Sequence, residues 1–223
     1  MDLMLLIPVG FACLVLVVYL IIRREKKRRE ALREKAQMLG FTYTQKAELN
    51  EIGKAGEFHL FNIGHSKRIR NLLERDDGGV QTWLYDYRYT TGGGQHSRTH
   101  VQTVFQFESA HLKLPAFILR PENVFHKIGQ SFGYRDIDFE PFPEFSRRYL
   151  LRGEDEAAIR ELFNQELIAR FEAERALIVE GKGPLLICYR SSKRVRPDDL
   201  WTMYESMQVL CKMFIRRCEN GNR

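Results

Sequence analysis

Three sets of residues have types and spacing that could do chemistry. In TTGGGQHSRTH, residues 90–100, three glycines precede His96 and His100. A phosphate loop of the GxxxxGK[ST] type leads from a strand into a helix, so that backbone N–H groups converge on the anion. Here the glycines stand between two strand-like runs and no lysine follows. On a strand His96 and His100 share a face, but four residues separate them by about 13 Å, too far to share one metal ion. The segment reads as a hairpin tip, a place where ligand and partner contacts concentrate.

The second stretch is RDIDFEP, residues 135–141. If extended, it points Asp136, Asp138 and Glu140 the same way, and three carboxylates are a ligand set for Mg²⁺ or Ca²⁺. Neighbouring same-face positions are nearly 7 Å apart, so one strand alone cannot close the cage. The alternative is a solvated edge with Ile137 and Phe139 turned inward. The third set, GKG (181–183) and GHSK (64–67), lacks the strand–loop–helix setting of a phosphate site and reads as turns. Ser131, His126 and Asp136 can be named as a triad, but no GxSxG elbow supports it. The catalytic residues are therefore unknown, and neither a cofactor pattern nor a metal-site pattern is found.

The elements that must position these groups begin with Leu3–Ile22, twenty residues without a charge. A helix of that length spans about 30 Å, the thickness of a hydrocarbon core, and the sequence predicts a transmembrane anchor over residues 1–22. A signal peptide would want a basic start and a small-residue cleavage site, and both are missing. Eight bases and four acids fall in residues 1–39, which accounts for +4 of the net +6. Arg23, Arg24, Lys26, Lys27, Arg28 and Arg29 would face anionic head groups, with the N-terminus out and the rest cytoplasmic, in a single-pass protein of the cell inner membrane. Residues 23–39 read as a basic juxtamembrane helix. The remaining chain is close to neutral, so no specific nucleic acid is expected. The four cysteines form no CxxC and suit a reducing compartment.

Residues 40–223 read as one α+β domain, an antiparallel sheet with packed helices. FTYT (41–44) is a strand, and EFHLFNI (57–63) alternates like one. HSKRIRNLLERDDGG, from residue 65, is either a short basic helix or a loop. VQTWLYDYRYT (80–90) and HVQTVFQFES (100–109) alternate around the glycines and predict an antiparallel hairpin. PAFILR (115–120) is a further strand and residues 121–133 a short helix. Residues 154–174 have the best helical periodicity, 176–190 form a hairpin, and 196–217 form a final helix with Pro197 at its start.

The run FEPFPEFSRRYLLRGEDEAAIRELF, residues 139–163, with WLYDYRYTTGGG before it, is similar to small, uncharacterised single-pass membrane proteins of bacteria. Phe145, Ser146, Tyr149, Leu151 and Gly153 carry the likeness, which brings no activity with it. Physically they resemble a chain reversal packed with aromatic and aliphatic side chains. The expectation is a membrane-anchored cytoplasmic binding or scaffold module, with the bilayer and a protein as partners. The alternative is an enzyme or ligand sensor that uses the acids at 136–140.

Overall fold

A computed structural model describes residues 3–122, 136–174 and 176–221, with side chains from Phe11 onward. Eight strands form one antiparallel sheet: β1 (Thr42–Ala47), β2 (His65–Asp76), β3 (Gln81–Thr91), β4 (Arg98–Glu108), β5 (Leu114–Pro121), β6 (Tyr149–Gly153), β7 (Ile178–Gly183) and β8 (Leu185–Tyr189). Their spatial order is β1-β2-β3-β4-β8-β7-β5-β6. The helices are α1 (Leu3–Met38), α2 (His59–Asn62), α3 (Pro143–Arg148), α4 (Glu156–Leu162), α5 (Gln165–Ala173) and α6 (Leu200–Asn220). The expected α+β class with an antiparallel sheet is present.

The membrane span is overturned. Among the described residues no helix is long and apolar enough to cross a membrane. From Arg23 helix α1 turns charged, and Leu32 and Ala36 are buried against the sheet. The transmembrane, single-pass, inner-membrane reading is withdrawn with it, and the expected boundary between residues 22 and 23 falls inside one helix.

The sheet buries both faces. One carries α4, α5, α6 and the end of α1 over a core rich in phenylalanine. Phe117, Phe163, Phe171 and Phe214 meet there, with Phe117 edge-on to Phe163 at 5.2 Å and Phe163 stacked on Phe171 at 6.0 Å. Phe145 and Tyr149 join them, so the run that carries the bacterial likeness is a packed reversal from α3 into β6. Gly153 is required there, because a Cβ would stand 2.3 Å from the Ala116 carbonyl oxygen. The other face carries Trp83, Tyr85, Tyr87 and Tyr89, covered by Ile52, Ala55, Phe58, Leu60 and Phe61. These aromatics are core residues, closed to stacking with bases.

Three local expectations differ from the structure. Residues 65–76 form β2, and within it Asn71 takes φ 52° at a bulge that moves the apolar side chains to the opposite face. Ile69 and Leu72 pack under the aromatics while Leu73 packs under α1, so the period of two is hidden. Residues 57–63 are a turn of helix, not a strand, since their N–H groups are taken up by a distant carboxylate. Residues 154–174 are two helices, broken at Asn164, whose side chain caps α5 by accepting from the Leu167 N–H at 3.0 Å. Most of the helix expected over 121–133 lies outside the described residues.

Candidate functional site

Strong helix formers carry α1 through its charged half, and Arg28, Leu32 and Ala36 recur every four residues on the face turned to the sheet. Arg28 donates from Nε and Nη2 to the two carboxylate oxygens of Asp86, each at 2.8 Å, and from Nη1 to the Val195 carbonyl at 2.7 Å. Asp86 stands on β3, on the face opposite the aromatics, and is 5% exposed. It also accepts from Thr103 Oγ1 at 2.9 Å and Asn71 Nδ2 at 3.0 Å, and Tyr43 donates to Asn71 Oδ1 at 2.8 Å. A buried carboxylate is tolerated only with such a set of donors. About one turn earlier on α1, Arg194 forks onto Glu25 at 2.8 and 2.9 Å and holds its carboxyl below the usual range. The helix is thereby fastened to the first four strands and to the loop after β8.

Of the six cations expected at a lipid surface, Arg28 is thus committed inside the domain. Arg23, Arg24, Lys26 and Lys27 are exposed. Arg29 is half-buried and lies with Arg33 toward Tyr43, where burial pushes the hydroxyl pKa up against the pull of the two guanidinium groups. Further cations stand on the strands below. Lys46 is opposite Arg70, and Arg68 is opposite Arg88.

A second polar site lies on the aromatic face, near the far end of the sheet. Glu180 of β7 and Arg152 of β6 both pair with Ile118 of β5, and Arg120 is two residues on, so the three share a face. Glu180 is 2% exposed. Its Oε2 accepts from the His59 N–H at 2.6 Å, and its Oε1 from the Leu60 N–H at 3.2 Å and the Tyr189 hydroxyl at 2.9 Å. Burial pushes its pKa up to about 7, against those donors and Arg120. Burial, aided by Arg120, lowers the His59 pKa to about 4. A cleft of about 150 Å³ opens beside them, rimmed by the ion pair of Lys182 and Glu57. Both oxygens of Glu180 are engaged in holding α2 on the sheet, which suits a structural acceptor and not a base offered to a substrate. Sequence reasoning passed over Asp86 and Glu180. The signal was a lone acid inside a strand of aromatic or aliphatic residues, WLYDYRY and ALIVEGKG.

The residues singled out from sequence do not converge. Asp136 is half-buried and accepts from the Leu151 N–H at 2.9 Å, capping the edge of β6, and burial raises its pKa. Asp138 and Glu140 are exposed, while Ile137 and Phe139 are buried. Among the described residues no group of three His, Cys, Asp or Glu side chains is placed to hold a metal ion. The glycines at 92–94 do form the tip of the β3–β4 hairpin, where a Cβ on Gly92 would stand 2.6 Å from the His96 carbonyl oxygen. His96 is exposed in that tip. His100 is buried on β4, stacked on Tyr89 at 4.8 Å and bonded to Thr91 and Ser192.

No family model matches the chain, and neither does any curated protein. Among solved structures, the crystal structure of the mycobacterial trehalose monomycolate transport factor A, TtfA, has a similar fold, with a TM-score of 0.61 and 10% sequence identity. The match covers 86% of this chain and 92% of that one. At that identity the likeness is one of fold. It is consistent with an uncharacterised family and leaves the expected membrane span without support.

Proposed function

We propose that this chain is a binding module without catalysis of its own, and that the projecting half of α1 is the element it presents to a protein partner. The observation that supports this is the uneven fastening of one helix. Its charged half is tied down through Arg28 and Glu25, while Phe11, Val15, Val18 and Ile22 are 68, 52, 47 and 63% exposed. Leu14, Leu16, Val17, Tyr19, Leu20 and Ile21 between them are exposed too, so the apolar surface runs all round the helix, as on a helix received by an apolar groove. Apolar surface of this kind, left open on a folded domain, marks an interaction site. The separation of Asp136, Asp138 and Glu140 favours this reading over an enzyme built on them. The shared fold with a protein named a transport factor is in keeping with an accessory role.

The test is site-specific photocrosslinking of the full chain in its own cells. A photoreactive residue at Val15 or Val18 is expected to give one discrete protein adduct, absent when the label sits at Glu205, an exposed position on α6. Adducts with lipid alone, or the same adducts from all three positions, would overturn the proposal.

A further inference from the structure

Four exposed cations on the α1 side of the sheet are set against one another by the strand register. Lys46 of β1 lies directly opposite Arg70 of β2, and Arg68 of β2 directly opposite Arg88 of β3. Opposed residues on antiparallel strands point to the same face, and Arg68 and Arg70 are two apart, so all four share the face of Asp86. Like charges at opposed positions weaken a sheet. Asp86 is held by Arg28, Glu48 is bound reciprocally with Glu51 in the cap of a short 3-10 turn, and Glu30 pairs with Lys26. Helix α1 adds Arg29 and Arg33 beside Tyr43. Among the described residues, none of these six cations is in an ion pair.

The same region holds an open strand edge. β1 ends the sheet, and Thr42, Thr44, Gln45 and Lys46 are exposed. An edge strand offers a row of backbone donors and acceptors to any chain that can pair with it. The opposite end of the sheet is different. There the Ile137 N–H donates to the Leu151 carbonyl at 2.8 Å and the Asp136 carboxylate takes the Leu151 N–H, so β6 is covered by its own chain.

We infer that the β1 edge docks an extended acidic segment of a partner protein, added as a further strand with its carboxylates facing Lys46, Arg70 and the α1 cations. Strands pair at about 4.8 Å, which puts an added carboxylate directly opposite Lys46 and leaves Arg70 one strand further in, within reach of its long side chain. Arg68 and Arg88 extend the positive field and speed the encounter. The site uses different residues and a different chemistry from the apolar half of α1.

The test is fluorescence anisotropy with the full chain and a labelled peptide of alternating Glu and Val, about ten residues long, a common upper length for a strand. The peptide should bind, and bind more weakly as salt rises. A Lys/Val peptide, or the Glu/Val peptide N-methylated at alternate amides, should not. Lys46→Glu with Arg70→Glu should weaken binding about tenfold or more, as reversed charges do at an interface. Arg68→Gln removes one opposed pair, so it should lower affinity while the melting temperature holds or rises. If the double variant does not fold, Lys46→Gln serves in its place. Equal binding of the N-methylated peptide would reduce the site to bare charge. Tighter binding of a single-stranded oligonucleotide, lost in the same variants, would make it a nucleic-acid surface. No preference for Glu/Val over Lys/Val would mean that the cations only guard the edge against pairing. Each of these three results overturns the proposal.

Discussion

Arg28 of α1 and Asp86 of β3, 58 residues apart in sequence, are joined by two hydrogen bonds of 2.8 Å in a bidentate pair that is nearly closed to water. The pair sets which face of α1 meets the sheet. Removing one partner leaves a buried charge unmatched, which costs about 3–5 kcal/mol. Arg28→Leu and Asp86→Leu should each lower the urea midpoint of the full chain strongly, and the double variant should recover much of the loss. A cost for Arg28→Leu below about 1 kcal/mol, the value of a surface pair, would show that the latch does not hold the helix.

The Glu180 cluster predicts a pH dependence with two opposed parts. The folded pKa of Glu180, about 7, stands above the ordinary 4.5, so the folded state binds the extra proton between these values. Its contribution is present at low pH and is lost as pH rises through that window. The folded pKa of His59, about 4, stands below the ordinary 6.5, so the unfolded state binds the extra proton there and stability is gained as pH rises. From pH 4.5 to 6.5 the two slopes oppose each other, and above that the loss from Glu180 remains. Unfolding curves should therefore show a nearly level stretch followed by a decline toward neutral pH. Glu180→Gln should remove the decline, and His59→Asn should turn the level stretch into a decline. The same profile in all three proteins would exclude these groups as its cause.

Asn164 separates α4 from α5 by accepting from the Leu167 N–H. Asn164→Ala leaves that donor without its cap and should cost about 1 kcal/mol, while Asn164→Asp should keep most of the stability. Thermal melts of the two variants check this, and equal melting temperatures would mean that packing alone makes the break.

Much of the sheet was legible where one face is apolar and the other mixed. The β3–β4 hairpin, the β7–β8 hairpin and α6 follow directly from period and turn residues. β2 was not legible, because the bulge at Asn71 changes which parity faces the core partway along the strand. Residues 57–63 alternate like a strand, yet fold as a helical turn because Glu180 supplies acceptors for its first N–H groups. The acids at 136–140 looked like a site because their spacing is regular, but only Asp136 is drawn in, to cap β6.

Composition and periodicity by themselves determined the α+β class, the aromatic hairpin, the glycine tip and the concentration of charge in the first forty residues. Those are properties of local sequence, set by side-chain spacing along one element. Tertiary structure alone decided that the charged half of α1 belongs to the domain, and that Asp86 and Glu180 are its internal fasteners. It also decided that like charges face each other across β1–β3. Each depends on a partner many residues away, and a buried charge or an opposed pair has no energy until the register that brings it together exists.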